Sequence, residues 1–230
     1  MKIGIITAMA GETTPLYQKM GTATGEINVA GVTISKFDID GNEIFLVRSG
    51  VGEIRAAMTV QLLVDKFQVD AILNFGFVGS LDNNFDVGDI VLAHKIVHYQ
   101  FDTSVIDNVP AGQYDGNDSI YFEASQDLID KVEKELGYQL PKVVVASGDK
   151  FIASKEDKNY LRTFGAQICE MECAGLVIAT KRNDIPLLSI KAISDKADES
   201  ADISFAEVVK KGLTKYEEIF PSILKAVCNK

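Results

Sequence analysis

The sequence of 230 residues has no tryptophan, two histidines and three cysteines. An odd number of cysteines without a Cys-x-x-Cys spacing argues against a disulfide framework and against a zinc site. Cys169 and Cys173 are therefore predicted to be buried apolar groups. His94 and His98 have the spacing of a helical metal site, but the β-branched residues around them predict a strand. We expect neither a metal nor an organic cofactor.

Basic residues are also scarce, because 23 lysines and arginines stand against 33 acids and leave a net charge of -10. Backbone contacts to nucleic acid need clustered lysine and arginine, so no nucleic-acid partner is expected. No apolar run reaches the ~18 residues of a membrane span, and no export cleavage pattern follows the apolar segment Gly4–Ala10. With 47% apolar and 24% charged residues, the chain is predicted to be a cytoplasmic globular protein without a membrane partner.

Segments with strand and helix patterns alternate along the chain. Strands are predicted at Lys2–Ala8, Val32–Ile39, Glu43–Val47, Ala71–Phe75, Gly88–Val97, Lys142–Ser147 and Leu187–Ile193. Helices are predicted at Glu53–Phe67, Ser125–Leu136 and Glu172–Asn183, with a last one opened by a capping box at Ser204–Glu207. Pro221 is expected to kink or end that last helix, and His98–Ser119 is expected to be a loop.

This alternation predicts an α/β protein in which helices flank a mixed, twisted central β-sheet. No repeat or linker divides the chain, so a single domain over residues 1–230 is expected. Polar side chains follow predicted strands at Glu12, Gly148–Ile152 and Ser194–Asp198, and Glu170–Glu172 stands just before a predicted helix. Ligands of such sheets bind at the carboxyl ends of the strands. We therefore expect acids from different loops to converge on one crevice.

Several segments carry a family resemblance that spans nearly the whole chain. They are Met1–Met9 with Glu12, Ser49–Gly52, Asn74–Gly79, Val87–Val91, Ser147–Ile152, Glu170–Ala174 and Lys191–Asp195. In this order they resemble the 5′-methylthioadenosine/S-adenosylhomocysteine nucleosidases of the nucleoside phosphorylase superfamily. The resemblance implies a nucleoside phosphorylase-like fold and hydrolysis of the N-glycosidic bond of those compounds, or of a related adenine nucleoside, with release of adenine. It also implies a homodimer, a purine nucleoside as small-molecule partner and a place in methionine salvage.

The resemblance assigns three catalytic residues. Asp195 matches the general acid that protonates or hydrogen-bonds adenine N7, and Ser194 matches the residue that orients this acid. Glu12 matches the group that activates the attacking water. Taken without the resemblance, Asp195 and Ser194 would be residues of a turn or cap, and Glu12 would be a favourable charge at a helix N-terminus.

The resemblance also assigns ribose contacts. Glu172 matches the residue that accepts hydrogen bonds from the 2′ and 3′ hydroxyls, which suits an ionised carboxylate because it only accepts. Met171 is expected to pack under the ribose, and Met9 and Val51 are expected to line it. Apolar packing alone is the alternative for these three side chains, and a first-turn helix charge is the alternative for Glu172.

Aromatic residues are assigned to the two ends of the nucleoside. Phe151 is expected to stack on adenine, and the backbone of Ile152 is expected to bind the edge of the base. Phe205 matches a residue near the 5′ side of the sugar. For Phe151 and Phe205, burial in the core stays open as the alternative.

Two departures from the family pattern cluster around the presumed water. Lys191 stands where the family has arginine, so the charge is kept but the planar fork of donors is lost. Phe77 replaces a small hydroxyl residue and cannot hydrogen-bond through its side chain. Tyr99–Ser104 also departs from the family pattern, in a region that helps to form the 5′ pocket. These changes leave open a repacked pocket with unchanged chemistry, a different 5′ group, altered handling of the nucleophile, or weak turnover.

Two other functions stay open. A purine nucleoside phosphorylase would need an anion site, yet Asn74–Gly79 contains no arginine and neither Arg48 nor Arg55 aligns with a phosphate ligand. Water is therefore favoured as the nucleophile, although Lys191 keeps the phosphorylase open. A nucleoside-binding protein that has lost turnover is the second alternative, since Phe77 and Lys191 both lie near the expected water.

Overall fold

The computed structural model describes residues 1–197 and 205–229, with the backbone alone for 205–213. Its described strands form one mixed, 10-stranded sheet. The strands are β1 Lys2–Thr7, β2 Gly25–Val29, β3 Val32–Ile39, β4 Asn42–Arg48, β5 Ala71–Ser80, β6 Ile90–His98, β7 Phe122–Glu123, β8 Lys142–Ser147, β9 Ile168–Glu170 and β10 Leu187–Asp195. The predicted α/β architecture is confirmed.

Part of the sheet closes into a ring. β5 pairs in parallel with β10 and antiparallel with β9, while β10 connects through β6 and β8 back to β9. Beside β5, β1 and β4 are parallel neighbours, and β2, β3 and β4 form an antiparallel meander. The closure brings the end of β5 together with the ends of β8, β9 and β10, and the predicted polar loops follow these strands.

Helices cover the sheet. They are α1 Ala10–Met20, α2 Glu53–Phe67, α3 Ser104–Asp107, α4 Gln126–Leu136, α5 Lys155–Arg162, α6 Cys173–Arg182 and α7 Phe205–Cys228. The helix predicted at Ser125–Leu136 is confirmed as α4, which begins where the Ser125 hydroxyl accepts from the Leu128 N–H at 3.3 Å and ends at Gly137, whose φ is 77°. The predicted loop at His98–Ser119 contains α3. No helix among the described residues is long and apolar enough to cross a membrane.

The last helix differs from its prediction. Pro221 lies inside α7, which continues to Cys228, so an end at Pro221 is wrong. The lost backbone hydrogen bond is outweighed by burial, because Phe220 and Ile223 are almost fully buried on either side of the proline. The predicted capping box at Ser204–Glu207 includes Ser204, which lies outside the described residues, as does the side chain of Phe205.

The buried cysteines are confirmed as free thiols. Cys169 and Cys173 are both buried, and burial raises the pKa of each thiol so that it stays neutral. They are therefore packing groups at neutral pH.

Gly175 fixes how closely α6 approaches the start of α2. A Cβ atom at this position would lie 2.1 Å from the carbonyl oxygen of Glu53. We expect Gly175→Ala to lower the free energy of unfolding by about 1–3 kcal/mol, because the backbone must move to admit the methyl group. Thermal unfolding checks this. Gly11→Ala is the matched control, since its Cβ would meet no atom within 4 Å. Equal melting temperatures for the two variants would contradict the account.

Candidate active site

Glu12 is a buried carboxylate held by backbone donors. It lies in the first turn of α1, directly after β1, and is 3% exposed. Its Oε2 accepts from the N–H groups of Ala8 and Met9 at 2.8 and 2.9 Å, and its Oε1 accepts from the N–H of Phe77 at 2.9 Å. Burial raises the pKa of Glu12, although these donors and Lys191 oppose the shift. A fixed carboxylate with a raised pKa has the properties of a general base.

Lys191 lies on β10 with its side chain 1% exposed. Its Nζ donates to Glu170 Oε2 at 3.0 Å, so the buried ammonium is paired. Burial lowers the pKa of Lys191, but the neighbouring carboxylates of Glu170 and Glu172 more than offset burial and raise it well above its ordinary value. A Cβ at Gly76 would be 3.2 Å from this Nζ and 3.3 Å from Glu12 Oε1. The ammonium and the base therefore face the same point above β5.

Glu170 is a site residue to which the sequence assigned no role. It ends β9, and both of its oxygens accept from the Cys173 N–H, at 3.0 and 2.9 Å. Burial raises the pKa of Glu170, but Lys191 and the hydrogen bonds more than offset burial, so the pKa lies below its ordinary value. Its position just before a predicted helix was a visible signal, whereas its pairing with Lys191 depends on closure of the sheet.

Glu172 lies at the N-terminus of α6 and faces α2. Its Oε1 accepts from the Gly52 N–H at 3.0 Å, and the residue is 9% exposed. Burial, followed by the charge of Glu170, raises the pKa of Glu172 to about 7. The predicted ribose residues flank it, since Met171 precedes it in the chain and the 40% exposed Val51 precedes Gly52. Glu172 is therefore a carboxylate whose charge changes near neutral pH.

Asp195 lies at the end of β10, beside the end of β5. Its Oδ2 accepts from the Ser194 hydroxyl at 2.7 Å, and its Oδ1 accepts from the Ala197 N–H at 2.7 Å. The strand register shifts between Ile193 and Asp195, a type of irregularity that re-aims side chains at functional sites. A Cβ at Gly79 would lie 3.1 Å from Asp195 Oδ1 and 2.9 Å from the Ala197 Cβ, so a glycine at this position lets β5 pack closely against the acid.

The predicted aromatic and apolar contacts occupy different environments. Phe151 follows β8 and is 62% exposed, so its ring is free to stack on a planar ligand, whereas Ile152 is buried in a cluster with Ala197. Phe77 binds Glu12 through its backbone N–H, and its ring centroid lies 6.2 Å from that of Tyr216 on α7. Met9 likewise binds Glu12 through its backbone.

The structure thus brings most of the predicted residues together. Hydrogen bonds join Gly52, Glu172, Glu170 and Lys191 in one group, and Glu12 faces the same point above β5 as Lys191. On the same strand as Lys191, Asp195 lies four residues further, about 13 Å at the usual strand rise. The arrangement thus separates the acid Asp195 from the carboxylate of Glu12 and the buried ammonium of Lys191.

Similarity to known proteins agrees with this arrangement. The sequence profile of the phosphorylase superfamily matches residues 2–228. An aminodeoxyfutalosine nucleosidase of Helicobacter pylori is 33% identical over 214 residues, covering 91% of this chain and 92% of that protein. A 5′-methylthioadenosine/S-adenosylhomocysteine nucleosidase of Staphylococcus aureus is 32% identical over 214 residues, with the same coverage of 91% and 92%.

Among solved structures, the futalosine hydrolase of Helicobacter pylori matches with a TM-score of 0.90 and 31% identity, covering 97% of both chains. The likeness therefore extends over the whole fold and includes the strands that carry the candidate site. This chain belongs to the phosphorylase superfamily.

Proposed function

We propose that this protein hydrolyses the N-glycosidic bond of adenine nucleosides, with 5′-methylthioadenosine and S-adenosylhomocysteine as substrates. The observation that carries the proposal is the buried Glu12, fixed by three backbone donors beside the ammonium of Lys191. A nucleosidase needs such a base to activate water and an acid to stabilise the leaving base. In this proposal Asp195 performs the second task.

In the proposed reaction, each group has one role. Asp195, oriented by Ser194, donates a proton or a hydrogen bond to adenine N7 as the bond from N9 to C1′ breaks. Glu172 accepts hydrogen bonds from the 2′ and 3′ hydroxyls. Glu12 takes a proton from water, whose oxygen bonds to C1′ as the sugar develops positive charge. The products are adenine and the free sugar.

Electrostatics favour water over phosphate as the nucleophile. The buried ammonium near Glu12 already pairs with Glu170, and Glu172 adds another acid to the same group. A phosphate dianion at this point would be repelled by these acids, and the Lys191 ammonium is already paired with Glu170 instead of being free to bind an anion. The phosphorylase alternative therefore has less support than hydrolysis.

The 5′ substituent is the finer part of the proposal. A relative at 33% identity is an aminodeoxyfutalosine nucleosidase, so aminodeoxyfutalosine is the second candidate substrate. The segment Tyr99–Ser104 departs from the family pattern, and the Phe101 ring stacks on Tyr114 with centroids 3.8 Å apart. This stack orders the segment that would face the 5′ group.

A substrate panel tests the proposal. Purified protein is incubated with each candidate nucleoside, with and without phosphate, and the released base and sugar are measured by chromatography. We expect adenine and free sugar in both buffers, with a 5′-alkylthio or futalosine-type compound as the best substrate. Formation of a sugar 1-phosphate would replace the proposal with a phosphorylase. Binding without release, detected as a thermal shift, would replace it with a nucleoside-binding protein.

Binding of the ribose should depend on the ionisation of Glu172. Since burial raises the pKa of Glu172 to about 7, the carboxylate is mostly protonated at pH 6 and mostly ionised at pH 8. We expect KM to rise about tenfold from pH 8 to pH 6, because the protonated acid accepts the diol poorly. Glu172→Gln should show a high KM with little change over this range. A KM that is flat between pH 6 and pH 8 in the unmodified protein would contradict the assigned role.

The proposal includes a cytoplasmic homodimer that acts in methionine salvage. Exposed apolar side chains support an interface near the site, since Ile54 and Met58 on α2 are 70% and 59% exposed, close in sequence to Val51. We expect the mass in solution to be that of a dimer and the double variant Ile54→Lys/Met58→Lys to be monomeric. Light scattering after gel filtration checks both. A monomeric unmodified protein would contradict the homodimer.

A further inference from the structure

A line of hydrogen bonds outside the catalytic group connects the 98–119 segment to the start of α2. The Tyr114 hydroxyl lies 2.7 Å from His98 Nδ1, and His98 Nε2 lies 2.9 Å from Glu53 Oε2. The Ser147 hydroxyl donates to Glu53 Oε1 at 3.0 Å. With Tyr114 donating to Nδ1 and Nε2–H donating to Glu53, every group in the line has one consistent role.

The strand register explains why these groups meet. His98 ends β6, Ser147 ends β8 and Glu170 ends β9, and they are paired side by side. The Ser147 hydroxyl accepts from the Ala174 N–H at 2.9 Å and also faces Glu170. The hydrogen-bonded line from Tyr114 through His98, Glu53 and Ser147 therefore ends next to Glu170, the carboxylate that pairs with Lys191.

Glu53 is also the first residue of α2, directly after Gly52. The Gly52 N–H donates to Glu172, and the Glu53 N–H donates to Asp149 Oδ1 at 2.8 Å. Anchoring the Glu53 side chain through His98 and Ser147 therefore restrains the turn that carries the backbone donor of Glu172. The carboxylate itself is buried, with a side chain 11% exposed, so a lost partner is not readily replaced by water.

We propose that Glu53 and His98 form a positioning pair that holds the Gly52 N–H against Glu172 and thereby sets the affinity for the ribose diol. The inference rests on the proposed role of Glu172 as the diol acceptor. His98 touches no catalytic residue, so it acts through Glu53 and Gly52. Its loss should weaken binding of the sugar more than it slows the chemical step.

The pH readout involves a defined set of groups. Those facing Glu53 are His98, Tyr99, Tyr114, Ser147 and Asp149. Those facing Glu172 are Glu170, Lys191, Glu12 and the Gly52 N–H. Among these, the Gly52 N–H favours the ionised form of Glu172. When that donor moves away, Glu172 holds its proton to higher pH, and the rise in KM on acidification should begin at higher pH.

The test compares His98→Phe, which keeps a ring beside Tyr114, with His98→Gln, which restores a donor to Glu53. Lys95→Gln is the matched control. Lys95 lies on β6 like His98, and its substitution removes only an exposed ion pair with Glu123. For His98→Phe we expect KM for methylthioadenosine to rise roughly tenfold or more, as for loss of a hydrogen bond to a charged group, with kcat within about threefold. His98→Gln should recover most of the loss, and Lys95→Gln should match the unmodified protein.

A second readout keeps the inference separate from the proposed function. Equilibrium binding of adenosine and 2′,3′-dideoxyadenosine is measured in an Asp195→Asn background, which prevents turnover. His98→Phe should reduce the preference for adenosine about tenfold. If the unmodified protein releases no adenine but binds adenosine more tightly than 2′,3′-dideoxyadenosine, the proposed function fails. The binding measurement then still tests the inference. An unchanged preference for adenosine in a folded His98→Phe would overturn the inference. Should that variant not fold, a tenfold loss of the same preference in His98→Gln would overturn it, because this variant keeps a donor to Glu53.

Discussion

Replacing Asp195 with asparagine is expected to lower the rate of adenine release from methylthioadenosine by about 10²–10⁴-fold. The side chain keeps its size, and the asparagine oxygen can still accept a hydrogen bond from Ser194 or Ala197. The amide has no transferable proton for adenine N7, so the leaving base departs without its acid. The measurement is kcat for adenine release under saturating substrate.

Two controls separate this effect from damage to the fold. The melting temperature of Asp195→Asn should lie within a few degrees of the unmodified protein, and methylthioadenosine should still bind. Ser194→Ala removes the hydroxyl that orients the acid and should cost less activity than Asp195→Asn. Near-normal turnover in Asp195→Asn would show that another group supplies the acid.

Replacing Glu12 with glutamine is expected to reduce turnover by a similar 10²–10⁴-fold, because the amide cannot take a proton from water. Glutamine also presents an NH₂ group where the carboxylate oxygens accept from Ala8, Met9 and Phe77. One or two backbone donors would face this group and lose their acceptor, so the variant should also be less stable. Steady-state kinetics and thermal unfolding measure the two effects.

The pH dependence of activity and of stability tests the role of Glu12. Since burial raises the pKa of Glu12, activity should fall on acidification at a pH above the ordinary range of glutamate. Stability changes in the opposite sense, because a raised folded-state pKa stabilises at low pH and this contribution is lost as pH rises through that pKa. Glu123→Gln, at an exposed glutamate, is the control and should change neither profile. Full activity of Glu12→Gln would remove the proposed base.

The sequence located the acids of the site, but it did not predict what holds them. Glu12 and Asp195 follow predicted strands and Glu172 begins a predicted helix, and this pattern is visible in residue types. Their main partners are the N–H groups of Phe77, Gly52 and Ala197, and a backbone donor is the same whichever residue carries it. Side-chain identity therefore could not indicate these contacts.

Glu170 and Lys191 illustrate a second limit. Lysine is rarely buried without a partner, so burial of Lys191 follows only once Glu170 is known to face it. That pairing depends on the ring in which β10 and β9 both join β5, and local patterns do not specify ring closure. Phe77 is also predicted to contact the substrate. Its ring packs near Tyr216, and the substrate contact stays a prediction.

Elements with weak patterns were missed for local reasons. β9 has three residues, too few to show an alternation. α1 contains two threonines and Pro15, which lower helix propensity, and α5 is mostly polar. The strong patterns were accurate, as in α2, which spans Glu53–Phe67 as predicted.

The most direct test is adenine release from methylthioadenosine by the unmodified protein in phosphate-free buffer. The account predicts free adenine and free methylthioribose in equal amounts, at a rate that added phosphate does not change. No adenine without phosphate, followed by adenine and a sugar 1-phosphate once phosphate is added, would contradict the assignment of water as the nucleophile activated by Glu12.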